Sequence, residues 1–138
     1  MRLSYAYRTQ LTGAAMEITL NHLIVPAADK DVAAAFLAGL LGLDVGAPSG
    51  PFAPVRINDG LTLDFDDRHH AQPGHYAFLM DDGTFDALLS RLGADPSVEY
   101  GSGPWHGWDR RINHLGGGRG VYVRDPNGHS YEFFTAVP

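Results

Sequence analysis

Histidines and acids recur at matched places in this chain. His22 and His75 each stand inside a short apolar run that favours a strand, LNHLIV and GHYAFL, where a lone imidazole is out of place. Glu132 stands in a closing aromatic run, HSYEFFT, and Asp64 in LTLDF. A carboxylate buried in such a strand must be hydrogen-bonded, ion-paired or metal-bound, because burying it bare is very costly. Strand alternation alone also permits it to lie on a solvated face. A strand histidine taken singly is more often a satisfied core or interface residue. Two at equivalent places, with an acid at each equivalent closing place, point instead to a ligand set. Two imidazoles and one carboxylate form the facial set that holds non-haem Fe(II) and leaves coordination positions open, and Mn or Ni accept the same donors. Asp64 is a candidate fourth ligand with one methylene fewer than Glu132; it can equally be exposed or pair with Arg56.

The elements that must position these groups repeat as well. Segment 17–25 is β-branched and apolar, and Pro26 ends it as a strand. From Asp29 or Asp31 to Leu41, the residues Val32, Phe36, Leu37, Leu40 and Leu41 recur at helical spacing, with Asp as N-cap and Gly42 as the stop. Turns rich in Gly and Pro follow, then Val55–Ile57, and Asn58-Asp59-Gly60 reads as a hairpin turn into a strand over Leu61–Phe65. The charged piece DDRHHAQPG (66–74) reads as a linker, with His69 and His70 facing water. After it the order repeats. His75–Met80 is a strand, and Thr84 caps a helix with the face Phe85, Leu88, Leu89 and Leu92, stopping at Gly93. A polar, aromatic stretch (Tyr100–His114) leads to a closing hairpin, whose turn Asp125-Pro126-Asn127-Gly128 carries the residue types a tight turn needs. His129, just past that turn, is expected to be exposed. Residues 55–65 align with 123–133 without a gap, which sets Asp64 opposite Glu132, and Asn21-His22-Leu23 aligns with Gly74-His75-Tyr76. Such an internal repeat sets the architecture before any single motif does.

Length and composition bound the rest. The 138 residues suit one domain of two similar halves, with 1–15 as an N-terminal extension and modules at about 16–67 and 73–136. A formal net charge of −6 and no basic stripe argue against a nucleic-acid partner. The chain has no cysteine, which excludes disulfides, thiolate nucleophiles and zinc-thiolate sites and fits a cytoplasmic protein. The longest apolar run, Val32–Leu43, is too short to span a bilayer, and residues 1–15 lack the apolar core of a signal peptide. Gly116-Gly117-Gly118-Arg119-Gly120 is no phosphate loop, because no Lys-Ser/Thr follows and a strand comes next. It suits tight backbone geometry or a lid. Trp105, Trp108, Tyr100 and His106 either line a pocket for an aromatic molecule or cover a core edge. Arg110 and Arg111 are candidate anchors for an anionic group.

Taken together, the two strand-helix-strands halves with His22, His75 and Glu132 resemble the vicinal oxygen chelate superfamily, over about residues 17–136. That superfamily includes glyoxalase I, fosfomycin- and bleomycin-resistance proteins and type I extradiol dioxygenases. The resemblance implies an α+β fold of two βαβββ modules whose curved mixed sheets enclose a metal cavity, with His22, His75 and Glu132 as metal ligands. The C-terminal stretch is more specific. Ile112-Asn113-His114, six residues, Val121-Tyr122, two residues, Asp125-Pro126-Asn127-Gly128, three residues and then Glu132 resembles the extradiol ring-cleavage signature. It implies that His114 and Tyr122 lie beside the metal and handle protons during the reaction. The expectation is therefore an Fe(II) extradiol-type dioxygenase for a small catechol-like molecule, with Mn, Ni or Zn as alternative metals. A glyoxalase-like isomerase or lyase, and a metal-free drug-binding protein of the bleomycin-resistance type, are the alternatives. Two departures stand out: such dioxygenases usually have four modules, and their further acid-base histidine has no clean match here. Relatives of this size often dimerise, so a homodimer is expected, and its cavity can be built from two chains.

Overall fold

Each half begins with a strand whose partner arrives only after a helix. In the computed structural model, which describes residues 16–138, β1 (His22–Pro26) pairs in parallel with β3 (Leu61–Asp66), and β4 (His75–Leu79) pairs in parallel with β7 (Ser130–Phe134). Parallel neighbours need a crossover, and α1 (Lys30–Leu41) and α2 (Asp82–Ala94) begin these connections. Within each half β2 (Ala53–Asn58) and β6 (Gly120–Arg124) then return antiparallel to β3 and β7, and the short β5 (Tyr100–Gly101) borders β6. The sheets run β1-β3-β2 and β4-β7-β6-β5. Val45 makes an isolated bridge to Val55, where β5 stands in the second half. The first sheet thus has a one-residue vestige of a fourth strand, next to a stretch in which Pro48, Pro51 and Pro54 have no N–H to donate. The expected α+β class and the two-module plan both hold, with the first module one strand short. The expected extension at 1–15 lies outside the described residues.

The repeat extends to register. His22 pairs with Thr62 as His75 pairs with Ser130, and Ile24 with Asp64 as Ala77 with Glu132. A one-residue slip would send every side chain to the opposite face, so this match is what puts the histidines and acids on equivalent faces. The other faces build the core. Val25, Leu37, Val55, Leu63 and Phe65 from the first half join Phe85, Leu88, Leu92, Val121, Tyr131 and Phe133 from the second in one buried cluster.

Local chemistry fixes the element ends. Asp29 caps α1 by accepting from the N–H groups of Asp31 and Val32, and Gly42 closes it in the left-handed region (φ 68°). Thr84 is not the cap of α2. Asp81 is, accepting the Thr84 N–H at 2.7 Å, so the helix starts three residues earlier than its apolar spacing suggests. The first strand is also shorter than the β-branched run: pairing starts at His22, because β3 begins at Leu61 and offers nothing further upstream. Residues 16–20 are accordingly exposed, Ile18 at 78%.

Candidate functional site

β7 lies between β4 and β6, and Glu132 is paired in register with Ala77 on one side and Tyr122 on the other. Its neighbours Tyr131 and Phe133 point into the core, so Glu132 points to the opposite face. His75, two residues before Ala77, shares that face, and its Nε2 lies 3.0 Å from Glu132 Oε1. The carboxylate is 8% exposed and the imidazole 52%. A nearly buried acid thus meets a half-open base, which supplies the hydrogen bond its burial requires. Tyr122 completes the cluster, its ring stacked on that of His75 with centroids 6.2 Å apart. Burial first, and then the negative charge of Glu132, push the Tyr122 hydroxyl above its ordinary pKa, so it stays protonated.

His22 and Asp64 hold the equivalent diagonal on the first sheet. There His22 is exposed, with Nδ1 2.9 Å from Asn21 Oδ1. Asp64 is half-buried and does not pair with Arg56, whose partner is Asp59 at 3.6 Å. Among the described residues of one chain, no three of His, Asp and Glu gather at metal-binding distance. One chain therefore brings His75, Glu132 and Tyr122 together and leaves His22 apart. His114 stands just before the 3-10 turn Leu115–Gly117, exposed and making no side-chain capping bond, beyond the Asn113–Gly120 bridge that leads into β6.

Several flanking residues have other duties. Arg110 is committed: its guanidinium lies over the Tyr100 ring and donates to the carbonyls of Val98 and Leu92, holding the end of α2. Tyr100 is buried under it, which makes it a core-edge residue, while Trp105 stands 91% exposed. In the glycine run, a Cβ on Gly118 would meet Ala136 Cβ at 2.7 Å, so tight packing against the C-terminal tail accounts for it. The largest departure is His129. It is fully buried, accepts the Gly74 N–H at Nδ1 (2.8 Å) and donates from Nε2 to the Pro26 carbonyl (2.6 Å). Parity was the available signal, since 129, 131 and 133 fall on one face of the strand.

No protein-family model matches this sequence, and no curated protein does. Solved structures match over most of the chain. The oxidase ChaP-H2 is 44% identical, covering 89% of this chain and 96% of that one, with a TM-score of 0.78. A glyoxalase/bleomycin resistance protein from Catenulispora acidiphila is 25% identical, covering 88% and 100%, with a TM-score of 0.64. This chain belongs to the vicinal oxygen chelate superfamily. The same fold occurs in the fosfomycin resistance protein FosX of Listeria monocytogenes, solved with Mn(II) and sulfate, at 22% identity over 88% of this chain and 93% of that one and a TM-score of 0.64. No helix among the described residues is long and apolar enough to cross a membrane.

Proposed function

We propose that the protein is a metal-dependent oxidative enzyme of the vicinal oxygen chelate superfamily, an Fe(II) extradiol-type dioxygenase acting on a small catechol-like molecule. The observation that carries this reading is the contact of His75 Nε2 with Glu132 Oε1, on an open sheet face beside a protonated tyrosine. The donor set fits a divalent cation: an imidazole nitrogen and a carboxylate oxygen already converge, and both lone pairs suit Fe(II), Mn(II), Ni(II) or Zn(II). Such a cation supplies Lewis acidity to a chelating substrate and, as Fe(II), access to oxygen chemistry. The likeness to an oxidase favours oxidation over isomerisation.

His75 and Glu132 hold the metal from one chain. His22 of the partner subunit supplies the third donor in a homodimer. Two features support that assembly. The faces carrying His22 and His75 also expose Ile24 (52%) and Leu79 (61%), apolar area that a second copy would cover. Among the described residues, one chain also gathers no group of three His, Asp or Glu around His22 that could hold a cation. Within the site, Tyr122 Oη donates a hydrogen bond to a substrate oxygen, and the His114 imidazole takes the proton that a catechol hydroxyl releases on binding. Cytoplasmic residence remains part of this reading.

Oxygen consumption tests it. Anaerobically prepared, Fe(II)-loaded protein is mixed with a catechol panel in aerated buffer. Oxygen uptake with a ring-cleavage chromophore from at least one catechol is expected. No uptake with any of them would overturn the dioxygenase reading. A glyoxalase-like isomerase is the second reading, favoured by Asp64 at the position equivalent to Glu132. It requires that Asp64→Asn weaken metal binding.

A further inference from the structure

We infer that His129 is a positioning residue that orients the two strands bearing the candidate ligands, through the two nitrogens of one buried ring. The inference rests on the reading of His75 and His22 as ligands. His129 has no exposed surface, and both ring nitrogens are engaged. Nδ1 accepts from the N–H of Gly74, the residue immediately before His75, at 2.8 Å. Nε2 donates to the carbonyl of Pro26, the last residue of β1, the strand that His22 opens, at 2.6 Å. A ring that accepts at one nitrogen and donates at the other is held in one neutral tautomer and one orientation.

The surrounding groups hold that ring in place. The buried Asp125 carboxylate accepts the N–H of His129 at 2.7 Å and that of Asn127 at 2.9 Å. Asn127 Oδ1 in turn accepts the Ala28 N–H at 2.8 Å, just past β1. The Tyr76 ring meets the imidazole edge-on at 5.5 Å. The turn Asp125–Gly128 and His129 therefore grip the exit of β1 and the entrance of β4 together. β4 needs that grip. It is an edge strand in the chain, and before it stands a glycine, whose backbone is the least restricted of any residue. Ser130 N–H fixes the Gly74 carbonyl at 2.9 Å, and His129 fixes its N–H. With both groups of Gly74 held, the direction in which the chain enters His75 is set. An apolar core residue of similar volume would fill the space and leave that direction free.

Two conservative substitutions separate the ring's two bonds. In His129→Asn, Oδ1 takes the place of Nδ1 and keeps the Gly74 bond. In His129→Gln, the terminal amide nitrogen takes the place of Nε2 and keeps the Pro26 bond. The first readout needs no metal: the side-chain 15N and 1H resonances of the His75 ring in metal-free protein. His129→Asn is expected to leave them near the wild-type positions, and His129→Gln to shift or broaden them, although both lose thermal stability. Titration with Mn(II), followed by EPR, is the second readout, and His129→Gln is expected to bind about 10-fold more weakly or worse, as outer-shell changes do. Should His129→Gln fail to fold, hydrogen exchange of the wild-type Gly74 amide takes its place, and protection like that of the β4 interior is expected. Unchanged His75 resonances in both variants, or a Gly74 amide that exchanges like an exposed one, would overturn the inference. If wild-type protein binds no Mn(II) while the resonances behave as expected, the metal reading fails and the positioning role stands.

Discussion

Glu132 and Tyr131 are neighbours in sequence with opposite surroundings, and each sets its own test. Glu132 is nearly buried beside His75, while Tyr122 keeps its proton against burial and the Glu132 charge. Tyr122→Phe removes one hydroxyl and no metal donor. Its kcat is expected to fall by about 10²-fold, the lower end for a proton-handling side chain, with metal content unchanged; steady-state kinetics beside metal analysis checks both. Tyr131 Oη is buried with no hydrogen-bond partner among the described residues, and burial pushes its hydroxyl far above the ordinary tyrosine pKa. Tyr131→Phe is therefore expected to be neutral or to stabilise by about 1 kcal/mol, since an unpaired buried group is removed. The sign with pH follows. The folded chain keeps this proton where the unfolded chain loses it near pH 10. Stability is complete below pH 10 and declines as pH rises above it, and Tyr76 and Tyr122 shift the same way. Denaturant melts from pH 9 to 11.5 should show a shallower decline in Tyr131→Phe. Glu132 and His75 were recognisable from their types, because each interrupts an apolar strand at a repeated place. His129 is buried against expectation: its place after a turn suggests exposure, its parity with Tyr131 and Phe133 points inward, and the reward for burying it comes from Gly74 and Pro26, both remote in sequence.

At the scale of elements, caps and registers do most of the positioning. Asp81 holds α2 by its carboxylate, whose pKa is lowered first by the backbone hydrogen bond from Thr84. Asp81→Ala should lower the melting temperature, as a lost N-cap weakens its helix. Because the folded-state value is depressed, the contribution of the cap is present above pH 4 and lost as pH falls through the folded value. The wild type and Asp81→Ala should thus converge in stability in acid melts. Arg119 bridges Asp82 and Asp86 of the same helix at 2.9 and 2.7 Å while lying over Phe85, which ties α2 to the start of β6. The helix faces and the closing hairpin were legible because periodicity and turn chemistry are local. The start of β1 was not, since β-branched residues say that a strand is favoured and nothing about whether a partner strand reaches that far. Thr84 departs from expectation for a related reason: an acid three residues upstream accepts the Thr84 N–H itself with a full charge, so the helix has begun before Thr84 is reached.

At the scale of the molecule, the repeat gives each half a histidine and an acid on equivalent faces, and in the proposed reading assembly joins the two sets into one site. The repeat could be seen in the sequence because register preserved it, with His22 and His75 each two residues ahead of the partner of an acid. How His22 would reach the other proposed ligands was not visible, because no local pattern encodes which copy covers an exposed face. Homodimerisation predicts complementation. His22→Ala and Glu132→Ala chains, each without metal alone, should recover binding when refolded together, since a mixed dimer contains one intact site. Absence of recovery, with mixed dimers present by native mass spectrometry, would place the ligands within one chain. The most direct test of the central claim is metal content by inductively coupled plasma mass spectrometry, on anaerobically purified wild type beside His22→Ala, His75→Ala and Glu132→Ala. Near-stoichiometric divalent metal in the wild type, lost in all three variants, is the predicted result. Metal absent from the wild type even after reloading, or retained when Glu132 is removed, would contradict it.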